Sequence, residues 1–116
     1  MFIKNYIEEK IPELSGMLYP VFTTDTNHLT VTYLFTPISG GHVRQYQLEL
    51  KIIWSDYDEC ADMENKLVDL LDMQEDDMFI RYEGKSFHSE LSGGGCLLND
   101  ACQMYEDTLY FIVNWR

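Results

Sequence analysis

Hydrophobic residues recur along the chain with two periods, and the longer period predicts two helices. Three- and four-residue spacing near the start predicts a helix over residues 2–11, which Pro12 cannot extend. A second helix is predicted over residues 57–72, where Ser55 or Asp56 can cap the N-terminus. The apolar stripe of this second helix consists of Cys60, Met63, Leu67, Leu70 and Leu71.

Strict alternation of apolar and polar residues predicts the strands. Residues 28–36 and residues 43–54 both alternate, and the glycine-bearing loop PISGGH between them favours two long antiparallel strands. Residues 78–91 are strand-like with a turn at 83–84, and residues 108–116 close the chain with a last alternating strand. This order of elements predicts an α+β fold: a single antiparallel or mixed β-sheet with two main helices packed on one face.

Length and charge narrow the class of protein. The 116 residues are expected to form one domain, residues 1–116, and 46% hydrophobic residues are enough for a packed core. Eight Lys and Arg against twenty Asp and Glu leave a net charge of -12, so we expect no sequence-specific nucleic-acid binding. No stretch approaches the roughly 20 apolar residues that cross a bilayer, and the start lacks the apolar core of a signal peptide, so no membrane partner is expected.

The stretch SELSGGGCLLND, residues 89–100, carries the most suggestive candidate chemistry. A phosphate-binding Walker loop needs Lys and Ser or Thr after its final glycine, and Cys96 and Leu97 follow instead. The three glycines are therefore predicted to supply backbone freedom to a loop that adapts to a partner. They are Gly93, Gly94 and Gly95.

Cysteine chemistry and metal binding are the next candidates. Cys96 or Cys102 would need a base to act as a nucleophile, and the candidate bases are His28, His42 and His88. Free cysteines are usually small buried apolar residues, and an odd number of them fits reduced thiols in a cytoplasmic protein. The spacing of His88, Cys96 and Cys102 matches no compact zinc clip, and the acidic run after the second helix lacks the pattern of a calcium loop. We expect no enzyme, no cofactor and no metal.

Five stretches carry a resemblance to a known family. They are a helix ending near IPEL, the LYP step into the first strand, the strand YQLELKIIWS running into the acidic helix DYDECADMENKLVDLLD, the glycine-rich excursion, and the final strand TLYFIVNWR. In order and spacing, over nearly the whole chain, these stretches are similar to the tail-terminator or tail-completion proteins of long-tailed bacteriophages and prophages.

The resemblance implies a non-enzymatic virion structural protein that forms a ring, usually a hexamer in this family. Such a ring caps the tail tube and joins the tail to the head. The implied partners are copies of itself, tail-tube proteins and head-connector proteins, and the implied location is the virion after synthesis in the bacterial host cytoplasm. By similarity, subunit or partner contacts would lie in two loops. The candidate contact residues are Ser39, Gly40, Gly41, Gly93, Gly94 and Gly95.

Other classes of function stay open at this point. The protein could be another head–tail connector or minor capsid component, which would join a different layer of the virion. It could be a small acidic intracellular adaptor or inhibitor that binds a basic partner with strong salt dependence. An enzyme that uses Cys96 or Cys102 would need a thiol with a lowered pKa.

Overall fold

The described part of the chain forms two helices and one six-stranded sheet. The computed structural model describes residues 2–16, 18–20, 28–41 and 43–116. Among these residues no helix is long and apolar enough to cross a membrane. In chain order the elements are α1 (Phe2–Lys10), a 3-10 turn (Pro12–Leu14), β1 (Leu18–Pro20), β2 (Thr30–Ser39), β3 (Arg44–Trp54), α2 (Tyr57–Leu71), β4 (Ile80–Tyr82), β5 (Lys85–Asn99) and β6 (Met104–Trp115).

The sheet is mixed, with the strand order β1-β2-β3-β6-β5-β4. Strand β1 runs parallel to β2, and all the other neighbours are antiparallel. Both helices pack on one face of this sheet. Phe2 of α1 lies against the rings of Phe35, Phe87 and Trp115, with centroid distances of 6.2, 5.9 and 5.2 Å. The predicted α+β class, with a mixed sheet and helices on one face, is confirmed.

The core lies between that face and the helices, as the alternating pattern requires. Strand β3 buries every second residue, at Leu48, Leu50 and Ile52, while the residues between them are only partly buried. The other core residues that are fully buried and large are Ile3, Ile7, Leu14, Val31, Leu67, Leu71, Phe87, Phe111 and Val113.

Helix α2 begins and ends close to its predicted bounds because its signals are local. The Asp56 carboxylate accepts hydrogen bonds from the backbone N–H groups of Asp58 at 2.9 Å and Glu59 at 3.2 Å, so Asp56 is the N-cap. Leu67 and Leu71 are fully buried as the apolar stripe predicts, whereas Leu70 is only partly buried at the edge of the core. The predicted turn at 83–84 is also confirmed: Glu83 and Gly84 both have positive φ, which suits a two-residue hairpin loop.

The largest departure from the sequence prediction is β5. The glycine-rich stretch was expected to be a loop, but it is part of a strand of 15 residues that pairs with β6 along almost its whole length. Strand β6 also begins at Met104, four residues before the predicted start at residue 108. The turn between the two strands therefore lies at residues 100–103. Backbone pairing with β6 overrides the low strand propensity of the glycines.

Candidate functional site

The predicted loop residues Gly93, Gly94 and Gly95 lie opposite Tyr110, Leu109 and Thr108 of β6. All three glycines are exposed. The register shifts by one between Leu91 and Gly93, so that Ser92 is an extra residue in a β-bulge. The prediction of a flexible loop is therefore wrong: these residues belong to an exposed strand with a local irregularity.

Of these three positions, only position 94 needs a glycine because a neighbouring backbone lies close to it. A Cβ atom at position 94 would lie 2.4 Å from the backbone oxygen of Thr108, while a Cβ atom at Gly93 or Gly95 would meet nothing within 4 Å. None of the three has positive φ. The glycines thus allow β5 to lie close to β6 just after the bulge, and they are not a hinge.

The outer edge of β5 can be traced from the hydrogen bonds at its start. Ser86 and Arg116 exchange two backbone hydrogen bonds of 2.9 Å, so Ser86 faces β6 and the alternate residues face outward. The outward groups before the bulge have partners: the Ser89 carbonyl accepts from Met73 N–H at 2.9 Å, and the Leu91 N–H donates to the Asp72 carboxylate at 3.0 Å.

Beyond the bulge the alternation moves by one residue. The backbone N–H and C=O groups that point away from β6 are then those of Gly94, Cys96 and Leu98. Strand β4 pairs with β5 only at residues 85–87. Within the described part of the chain, no strand pairs with the outer side of residues 93–99. We call residues 93–99 the β5 open edge.

A second open edge lies on β2, on the other side of the sheet. Strand β1 pairs with β2 only at residues 31–33, so residues 34–39 have β3 as their one neighbouring strand among the described residues. The same alternation, carried across β6 and β3, makes Phe35 and Pro37 the outward-facing residues. Pro37 has no N–H to donate, and a bulge follows between Pro37 and Ser39. We call residues 34–39 the β2 open edge.

Neither open edge carries a charged side chain, although the chain has a net charge of -12. Residues 26–43 and residues 91–99 contain no Asp, Glu, Lys or Arg. Soluble proteins usually protect such edges with charges or proline, and only the β2 open edge has a proline. Six of the eight exposed large hydrophobic residues of the described chain belong to these two stretches: Leu34, Ile38, Val43, Leu91, Leu97 and Leu98.

The predicted contact residues fall into two separate groups. Ser39, Gly40 and Gly41 form the exposed turn between β2 and β3, where Gly41 has φ 114°. Gly93–Gly95 lie toward the opposite end of the strands, because the turn residues align with the start of β5 and the glycines align with its second half. Sequence analysis missed the two open edges themselves. The long uncharged runs were the signal that could have indicated them.

The surroundings of Cys60 and Cys96 do not favour a nucleophilic thiol. Cys60 is buried, and burial, followed by the nearby Asp107 carboxylate, raises its pKa to about 11. Partial removal from water and the same carboxylate raise the pKa of Cys96. A raised pKa keeps both thiols protonated at neutral pH and lowers their reactivity.

The candidate bases do not form a pair with Cys96 in the described part of the chain. His88 lies on the opposite face of β5 from Cys96, and its Nε2 atom is 2.6 Å from the Gln74 carbonyl. His28 lines a surface depression beside α2, together with Glu59 and Asp62. His42 lies outside the described residues.

Asp107 and Glu64 form an acidic pair where α2 meets β6. Burial, followed by the charge and hydrogen bond of Glu64, raises the pKa of Asp107 to about 6. Among the described residues no group of three or more His, Cys, Asp or Glu side chains is placed to hold a metal ion. Two acids of the run after α2 bind backbone instead: Asp72 accepts from Leu91 N–H, and Asp77 accepts from Gln74 N–H at 2.7 Å.

Comparison with known proteins supports the fold and goes no further. No protein-family model and no curated protein sequence matches the chain. Four solved protein chains match its structure. One of them, whose name describes no function, aligns with a TM-score of 0.64 and 12% sequence identity over 98% of this chain and 87% of its own. At this identity the likeness shows a shared fold alone.

Proposed function

We propose that this protein is a non-enzymatic structural subunit that assembles with copies of itself into a ring, as the tail terminators of long-tailed bacteriophages do. The observation that carries this proposal is the pair of uncharged open edges on opposite sides of one sheet. A subunit with two different contact surfaces makes head-to-tail contacts, and such contacts generate a ring when the rotation between neighbours closes.

The chemistry of the described residues favours contact over catalysis. The thiols of Cys60 and Cys96 have raised pKa values, and His88 is held by the Gln74 carbonyl away from Cys96. Exposed apolar residues concentrate along the open edges, which is where a partner strand would cover them. These features support an assembly role and give no support to a cysteine enzyme.

The partners and location of the ring come from the sequence resemblance and are part of the proposal. The ring would cap the tail tube and bind head-connector proteins, within a virion made in the bacterial host cytoplasm. The net charge of -12 suits a channel for DNA, because an acidic wall repels phosphate and lets the nucleic acid slide. A different layer of the head–tail connector would use the same edges with other partners.

Sedimentation velocity across a salt series, with negative-stain microscopy, tests the proposal. Repulsion between subunits of charge -12 keeps the free protein monomeric at low salt and micromolar concentration. At ~0.5 M salt the Debye length falls to roughly 4 Å, and we expect rings with a central hole to form. Isolated tail tubes should promote the same ring at lower salt by binding it.

Two results would contradict this function. A strictly monomeric species at every salt and concentration, without binding to tail tubes, would remove its support. Binding to a basic protein that weakens steeply as salt rises would instead favour the acidic adaptor or inhibitor.

A further inference from the structure

We infer that neighbouring copies of this chain join strand to strand, with the β5 open edge of one copy pairing with the β2 open edge of the next. The inference rests on the proposed ring and names its subunit contact. It would make the sheet continuous from copy to copy, with all the helices on the same face. The occupant of each edge is therefore a second copy of this chain.

The directions of the strands allow this pairing when the neighbouring copy has the same orientation as the first. Strands β2, β3, β6 and β5 alternate in direction, so β5 and β2 run in opposite directions. A copy placed beside another in the same orientation thus offers an antiparallel neighbour to β5. Gly94, Cys96 and Leu98 would exchange hydrogen bonds with Phe35 and with the carbonyl of Pro37.

Pro37 limits the strength of the contact. Since it lacks an N–H, the β2 open edge offers one donor fewer than a regular strand of the same length. A weakened ladder would help to keep the free protein monomeric at low salt before a template is present. This fits a subunit that forms its ring at the end of another structure.

Pairing of unlike edges covers both open edges of every copy. A symmetric contact between two β5 open edges would end at a dimer and leave the β2 open edge unpaired, whereas the contact of β5 with β2 repeats from copy to copy.

The stagger between the two edges is compatible with closure. Residues 34 and 93 lie at the same height in the sheet, since both align through Glu49 and Tyr110, and the two open edges extend from there in opposite directions. Pairing them shifts each copy by about five or six residues, or roughly 16–20 Å, across four strand spacings of about 19 Å in total. A strand tilt of about 40–45° relative to the ring axis accommodates this shift. Strands in closed β-barrels have a similar tilt.

Cross-linking between engineered cysteines tests the pairing. The background replaces exposed Cys96 and Cys102 by Ser and is first checked for ring formation by sedimentation. Leu97→Cys on β5 and Thr36→Cys on β2 then place single thiols on the helix-free face, where both native side chains are exposed. The two variants are mixed under ring-forming conditions and treated with a short bismaleimide.

We expect cross-linked dimers in the mixture and none from either variant alone, and a double variant should give a ladder up to the full ring. Met78→Cys is the matched control, because Met78 is 87% exposed and lies on neither edge. Dimers from Leu97→Cys alone would overturn the inference in favour of symmetric β5 pairing. Rings without cross-links in the mixture would overturn it while leaving the ring itself in place.

A charge placed on the edge gives a second test that does not depend on cross-linking. Leu97→Lys should weaken ring formation by at least about tenfold, because an edge lysine blocks strand addition. Met78→Lys makes the same change of charge at an exposed apolar side chain away from both edges and should leave ring formation unchanged. Equal effects of the two substitutions on assembly, with both variants folded by circular dichroism, would contradict the inference.

Discussion

The two halves of β5 have the same neighbour on one side and opposite surroundings on the other. Both halves pair with β6. In the first half, Phe87, His88 and Ser89 are buried, and the outward backbone groups bind β4 or the segment after α2. In the second half every residue from Gly93 to Leu98 is exposed and the outer edge is open within the described chain. One strand therefore contributes to the core at one end and has an outer edge that no described strand covers at the other.

The difference comes from what covers the outer edge. The Ser89 hydroxyl donates to the Leu71 carbonyl at 2.6 Å, and the backbone of Met73 and the carboxylate of Asp72 complete that side of the strand. This segment leaves the strand before the glycines are reached. Among the described strands, β6 is the one that pairs with the second half of β5, so changes on its open side should affect assembly more than folding.

Truncation of a large side chain in each half gives the largest expected contrast. Phe87→Ala removes a fully buried ring that packs on Phe2 and Tyr6, and we expect the free energy of unfolding to fall by about 3–5 kcal/mol. Leu98→Ala, in the exposed half, should change it by less than about 0.5 kcal/mol. Urea denaturation of both variants measures the contrast, and similar losses would show that the second half also supports the core.

Glycine replacement sharpens the comparison inside the exposed half. Gly94→Ala forces a Cβ atom against the backbone oxygen of Thr108, so we expect a loss of about 1–3 kcal/mol in the free energy of unfolding. Gly95→Ala is the matched control, because open space surrounds that position, and it should be neutral or raise stability by roughly 0.5 kcal/mol. Equal effects at the two positions would contradict the close approach of the strands.

Asp107 lies where β6 meets α2, and its raised pKa should make the stability of the protein depend on pH. Its pKa is raised from 3.8 to about 6, so the folded protein binds more protons than the unfolded chain between these values. Stability from this group is therefore present below pH 3.8 and is lost as pH rises through about 6. Across this window the free energy of unfolding of the wild type should fall by about 1–2 kcal/mol more than that of Asp107→Asn. Thermal unfolding of both proteins at several pH values measures the difference. The same dependence of stability on pH in both proteins would show that the pKa of Asp107 is not raised.

Thiol labelling is expected to give the smallest effect. With iodoacetamide near neutral pH, Cys96 should react more slowly than a free cysteine despite its exposure, and buried Cys60 should react only after unfolding. Mass spectrometry of the folded protein over time measures the rates. Labelling of Cys96 faster than the free amino acid would reopen the interpretation of this residue as a nucleophile.

The sequence by itself determined the elements whose signals lie within a few residues. Asp56 caps α2 through backbone groups two and three residues away, and Glu83 with Gly84 forms a turn between adjacent strands. The alternation of β3 predicted its buried face for the same reason, since a strand places successive side chains on opposite faces.

Only the tertiary structure decided the course and the surroundings of β5. Three glycines predict a loop, yet they form a strand because β6 lies beside them and supplies backbone hydrogen bonds from residues 13 to 17 positions along the chain. The partners of Ser89 and Leu91 come from the segment after α2, and nothing in the local sequence indicates where that cover ends. An open edge is a property of neighbours that are distant in sequence, whereas a cap or a turn is a property of residues that are adjacent.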